Sequence, residues 1–152
     1  MAVTAYIYAR FFISALNKEI DIVGGTDDTY CGLTTSTYTP NQDTHDYYND
    51  ITNELTTTGG YTAGGQQLVS DDFTQSNNVL KWDSNDPSWT SATFTARRAF
   101  YYVNTAGASS TDTLVSWVDF GADETVTSGT FTIVQDAAGI LTVTATDATG
   151  FP

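Results

Sequence analysis

The side chains best able to do chemistry are a histidine, a run of carboxylates and a thiol, and most of them fall in one tract. Residues 37–65 read T-Y-T-P-N-Q-D-T-H-D-Y-Y-N-D-I-T-N-E-L-T-T-T-G-G-Y-T-A-G-G and hold the only histidine, His45, with the densest acids and two glycine pairs. Nucleophilic catalysis would need His45 beside a serine or cysteine, and no G-x-S-x-G elbow accompanies it. If 44–54 were helical, Asp46, Asp50 and Glu54 would share a face at i, i+4 and i+8, with Asp43 and His45 nearby. Such a set of oxygens suits a hard cation. The D-x-[DN]-x-[DN]-G spacing of a calcium loop is absent, and a solvated acidic face is the plainer reading.

Other chemistry is weaker still. Any two of eighteen acids, Asp83 and Asp86 for example, could be paired for glycoside cleavage, so their number carries no information. Trp82 and Trp89, in W-D-S-N-D-P-S-W, could stack on a sugar or simply anchor a turn. D-F-G at 119–121 lacks the glycine loop, strand lysine and H-R-D loop of a kinase. A phosphate-binding G-x-x-x-x-G-K-[ST] is also missing. The expectation is therefore no catalytic residue, no cofactor and no metal.

Composition points the same way. Five basic residues against eighteen acids give a formal charge of −13, which repels nucleic-acid backbones and anionic membrane surfaces. Acidity of this kind keeps a protein soluble or docks it on a basic surface. Cys31 is alone, so no intrachain disulfide can form; beside Tyr30 and Leu33 it reads as a small buried thiol. The N-terminal M-A-V-T-A-Y-I-Y-A-R lacks the basic region and apolar run of a leader. No apolar stretch reaches the length of about 18 residues that a spanning helix needs. Neither secretion by that route nor a membrane span is expected.

The elements that must position these residues are mostly strands. The chain has 152 residues, 28 of them threonine, with nine tyrosines and eight phenylalanines, and β-branched and aromatic side chains favour a half-buried pleated backbone. One domain spanning 1–152 is expected, mainly β, an antiparallel β-sandwich or β-barrel-like fold with one or two short helices. Residues 4–8 read as a strand. Phe12, Leu16 and Ile20 then recur at i, i+4 and i+8, which predicts a short helix with that stripe buried. Gly24-Gly25 and the following T-D-D form a turn, and 30–35 resumes as a strand.

Pro40 and Asn41 break the chain. Asp43 or Thr44 can cap a short helix over 44–51, with Tyr47, Tyr48 and Ile51 on one face. The rest of 37–65 is expected to be a long irregular excursion with special backbone at the glycine pairs. Six strands follow at 68–73, 79–82, 92–103, 114–120, 126–134 and 140–146, separated by turn clusters such as G-A-D-E and D-A-A-G. The last two are expected to form a hairpin around D-A-A-G, with Gly139 at positive φ, one apolar face and one threonine face. Asp119 should end a strand beside a turn. Arg97 and Arg98 sit mid-strand, which demands either a bulge or an arginine reaching an acid; a contact with a partner is the alternative. The D-A-T-G-F-P tail should trail from the last strand.

Several tracts together resemble small structural proteins of tailed bacteriophages of the head decoration, or cement, type. They are N-K-E-I-D (17–21), T-Y-T-P-N-Q-D-T-H-D-Y (37–47), N-E-L-T-T-T-G-G-Y-T-A-G-G (53–65), T-F-T-A-R (93–97), W-V-D-F-G (117–121) and T-S-G-T-F-T-I-x-x-D-A-A-G-I-L-T (127–142). The tract 22–33 departs from the more apolar pattern of that family. The resemblance implies a non-enzymatic protein on the outer capsid surface of the virion. It would bridge neighbouring capsomers, bind the major capsid protein and assemble as a homo-oligomer, a dimer or trimer. A tail or receptor-binding module that recognises host glycan is the alternative, and it requires Trp82 or Trp89 in an exposed groove. A small hydrolase would rest on His45 alone. In the leading reading 37–65 is a glycine-hinged arm whose Tyr38, His45, Tyr47, Tyr48 and Tyr61, with Arg97, contact the partner. Deleting 38–64 should then leave a folded domain that no longer assembles.

Overall fold

The structure is a computed structural model that describes residues 3–146. The expected tail, 147–152, lies outside the described residues. Strands β1 (Thr4–Ile7), β2 (Asp28–Thr34), β3 (Gln66–Gln67), β6 (Ser88–Asn104) and β7 (Leu114–Thr132) form a five-stranded sheet in the order β1-β7-β6-β2-β3. Strands β4 (Asp72–Ser76), β5 (Val79–Asp83) and β8 (Leu141–Thr144) form a second, three-stranded sheet in the order β4-β5-β8. Every pairing is antiparallel, as expected for a mainly β chain with short connections.

The main core joins the two sheets. Cys31, Leu33, Ala99, Tyr101, Val103 and Val115 of the large sheet share a cluster with Trp82 and Leu141 of the small one. A second cluster, Tyr8, Phe100, Tyr102 and Leu114, lies on the other side of β6 and is covered by Tyr48 and Ile51. Residues 99–103 of β6 are therefore buried without a break. Successive side chains leave a strand on opposite faces, so A-F-Y-Y-V reads as a continuous apolar run because both faces are covered.

Helix α1 (Ala9–Leu16) joins β1 to β2. Its buried residues are Phe11 and Ser14, while Phe12 is 39% and Leu16 83% exposed, so the predicted Phe12/Leu16/Ile20 stripe is not the buried one. Tertiary contacts set the rotation of this two-turn helix. Phe11 stacks on Trp82 at 5.8 Å, and Ser14 Oγ accepts from Thr113 Oγ1 and donates to Glu19. Lys18, at φ +60°, ends the helix before Ile20.

Two more expectations are corrected. The strands expected at 114–120 and 126–134 belong to one strand, β7. Between the pairs Ala96↔Glu124 and Arg98↔Asp119, a single residue of β6, Arg97, faces Phe120, Gly121, Ala122 and Asp123. The G-A-D-E tract is thus part of a large, four-against-one bulge inside a strand and not a turn between two, and Asp119 lies at its start. The D-A-A-G hairpin also fails. The tract does turn, with Gly139 N–H donating to Asp136 O at 2.7 Å and Gly139 at φ +78°. It carries the chain to the other sheet, however, where β8 pairs with β5 instead of β7. The far end of β7 is already taken by β6, Ser88 facing Thr132 and Trp89 facing Phe131.

Candidate functional site

The expected contact residues separate into buried and surface groups. Tyr38 is 1% and Tyr61 2% exposed, so both are core residues and neither can reach a partner. The reason is hydrogen bonding as much as packing. Tyr38 OH lies 3.1 Å from Tyr8 OH and 2.8 Å from His45 Nδ1. Tyr61 OH accepts from Leu33 N–H at 3.0 Å and donates to Glu54 Oε1 at 2.6 Å.

Glu54 is the hub of residues 37–65. Besides Tyr61 it accepts from Tyr48 OH at 2.6 Å and from Gly64 N–H at 2.7 Å, and it forms an isolated bridge with Thr34. The glycine pairs follow from the same close packing. Gly65, at φ +84°, presses against the Cys31 carbonyl where a Cβ would collide, so this glycine fixes the segment on β2 and is not a hinge. Replacing Glu54 with alanine strands two phenols and an amide, and charged hydrogen bonds of this kind contribute about 1.5–3 kcal/mol each. The variant should lose about 3 kcal/mol of stability in urea denaturation, with partial relaxation of the freed groups setting the lower end. A loss under about 1 kcal/mol would show that water replaces the carboxylate freely.

The short helix expected at 44–51 contracts to a single 3-10 turn, Tyr48–Asp50. Asp43 and Thr44 do not cap it. Asp50 Oδ2 instead receives the amides of Asp46 at 2.9 Å and Tyr47 at 3.0 Å. Because no helix runs through 44–54, Asp46, Asp50 and Glu54 do not line up. Among the described residues no group of three His, Cys, Asp or Glu side chains could hold a metal ion. His45 meets a phenol, not a serine or cysteine. Burial above all, and then neighbouring hydrogen bonds and charges, push the Tyr8, Tyr48 and Tyr61 phenols up, so they stay neutral, and Tyr48 and Tyr61 donate to Glu54. Burial likewise pushes the Cys31 thiol up, which makes it a poor nucleophile.

Arg97 and Arg98 behave as a structural pair, with the bulge and the acid contact both present. Arg97 Nε donates to Asp119 Oδ1 at 2.7 Å, and Arg98 Nε lies 2.9 Å from the other oxygen without the alignment of a hydrogen bond. Arg98 also donates to Tyr38 O at 2.7 Å. Burial alone would raise the Asp119 pKa, but the Arg97 and Gly121 hydrogen bonds and both guanidinium charges hold it below the usual carboxylate range. Of the six expected contact residues, Tyr47 packs beneath the Arg10 guanidinium at 5.1 Å, and it and His45 are half-buried.

Two surface features went unnoticed in the sequence. The outward side of α1 shows Phe12, Ile13 (48% exposed) and Leu16, and its signal was the F-F-I-x-x-L run itself, too apolar for a helix with only one covered side. A cleft of about 470 Å³ opens beside β1, between Val118, Phe120, Phe131, Ile133 and Ile140. A second, also about 470 Å³, adjoins it at Ala5, Gly139 and Ile140, between β1 and β8. Trp82 and Trp89 reach neither surface, since both are buried. The exposed aromatic groove that glycan recognition required is not formed by them.

No helix among the described residues is long and apolar enough to cross a membrane. No protein-family model, curated protein or solved structure gives a match to the chain.

Proposed function

We propose that the protein is a non-enzymatic docking component of a tailed-phage virion, a head decoration or cement protein. It would bind the major capsid protein on the outer capsid surface as a homo-oligomer and stabilise contacts between capsomers. The observation that carries this reading is the outward side of α1, where Phe12, Ile13 and Leu16 stand exposed on a chain of net charge −13. Grouped apolar side chains on a charged surface mark interaction sites, and the acidity favours a basic partner surface. The sequence tracts quoted above supply the phage assignment. A partner that binds only the assembled shell stabilises it by mass action.

Purified protein added to undecorated heads should sediment with them and raise their resistance to heat. Leu16→Glu, placed at an 83% exposed position, should keep its fold and weaken that binding about tenfold or more, as removal of one central apolar anchor does. Heads that neither bind nor are protected by the wild-type protein would refute the reading.

A further inference from the structure

We propose that the cleft beside β1 receives an extended segment of a partner protein, added to β1 as a new strand, with apolar side chains alternating with lysine or arginine. The backbone supplies the first part of the case. Tyr8 N–H donates to Val115 O, and the β1–β7 register pairs Tyr6 with Trp117 and Ala5 with Val118. In an antiparallel ladder, bonded and non-bonded positions alternate. Thr4, Tyr6 and Tyr8 therefore face β7, while Ala5 and Ile7 direct their amides and carbonyls away from it. Gln42 Nε2 occupies the Ile7 carbonyl at 2.7 Å. Among the described residues nothing occupies the Ala5 amide or carbonyl.

The edge is short and Gln42 covers one end of it, but its own sequence carries no further guard. Sheet edges that must stay unpaired usually carry lysine, proline or a bulge, and Val3-Thr4-Ala5-Tyr6-Ile7 has none of these. The two clefts share Ala5, Gly139 and Ile140 and so adjoin on one face of the edge, where an added strand would direct every second side chain. The floor of the larger cleft is apolar, formed by Val118, Phe120, Phe131 and Ile140, with Val134 77% exposed at its rim. The charges choose the occupant. Glu124 and Asp136 line the larger cleft, no lysine or arginine lines either, and the chain carries −13 overall. Strand addition takes its affinity from main-chain hydrogen bonds and its specificity from side-chain pockets; here the apolar cleft floor takes every second side chain, and the acidic surroundings favour lysine or arginine at the positions between.

The inference rests on the docking reading in taking the partner to be a protein, and its test is independent of any shell. The full chain, labelled with nitrogen-15, is titrated with the capped octapeptide KVKIKVKT and with its acidic counterpart EVEIEVET. The basic peptide should shift the amides of Val3, Ala5 and residues 131–140 and bind at least about tenfold more tightly than the acidic one, the worth of about one net charge-pair or hydrogen-bond contribution. Ala5→Pro removes an amide that serves no ladder bond and should abolish binding. Val134→Lys, at an exposed rim position, should weaken it and decides the matter if the proline variant does not fold.

Equal binding of both peptides, no binding of either, or shifts that avoid β1 would overturn the proposal. So would a wild-type dimer that Ala5→Pro converts to a monomer, since a second copy would then be the occupant. Failure of the wild-type protein to bind heads, with the peptide result intact, would sink the docking reading and leave the cleft assignment standing.

Discussion

A chain lacking residues 38–64 is expected not to fold. Far-ultraviolet circular dichroism and proton NMR should show no cooperative transition, because the segment completes both apolar clusters. Tyr48 and Ile51 cover Phe100 and Tyr102, and Leu55 and Tyr61 join the cluster between the sheets. Tyr38 leaves with them, and so does Glu54 with its three hydrogen bonds. Each buried apolar side chain contributes about 1.5–3 kcal/mol, against a total stability of about 5–15 kcal/mol for a domain of ordinary size. A deletion protein that still unfolds cooperatively would show the segment to be the separable arm that its glycines suggested.

Trp82→Ala should be the most damaging single substitution at a position away from that segment, costing about 3–5 kcal/mol in urea denaturation as other buried-aromatic truncations do. Trp82 is fully buried, with Phe11 stacked at 5.8 Å and Phe73 at 5.1 Å. Its Nε1–H donates to Asp71 Oδ1 at 2.8 Å, and the other oxygen of Asp71 accepts from Thr29 Oγ1 at 2.7 Å. One carboxylate thus ties β2 of the large sheet to β5 of the small one, and loss of the indole leaves it short of a donor. Trp82→Phe should recover much of the packing and leave the loss at Asp71, separating the two contributions. A cost below about 1 kcal/mol for the alanine variant would mean that the helix and both sheets close over the gap.

The strands were readable wherever one local rule governed them. The T-F-T-A half of β6 alternates and is half-exposed, and the arginine pair announced a bulge because two adjacent charges cannot both leave one face. Cys31 is buried as its neighbours indicated. Reading failed where a distant contact outvoted local pattern. D-A-A-G is a sound turn, yet the choice between β7 and β5 as partner for β8 depends on Ser88 and Trp89 having already claimed the end of β7. The helix stripe was displaced by one position because Trp82, far along the chain, selects Phe11 instead of Phe12.

The same logic explains the candidate site. His45, the acids and the tyrosines of 37–65 looked functional because polar and aromatic residues in an irregular segment carry no periodicity that marks them as buried. Glu54 supplies the missing reason, since one carboxylate satisfies Tyr48, Tyr61 and the Gly64 amide together. With that segment fixed against the sheets, the surfaces proposed above for a partner are the apolar side of α1 and the open edge of β1, neither of which advertises itself by residue type.

The most direct test of the docking account is a density map of intact virions at a resolution that traces strands. The account predicts this two-sheet domain on the outer surface of the head, with Phe12, Ile13 and Leu16 of α1 against a neighbouring subunit. Density for the domain on the tail, or its absence from the particle, would contradict it.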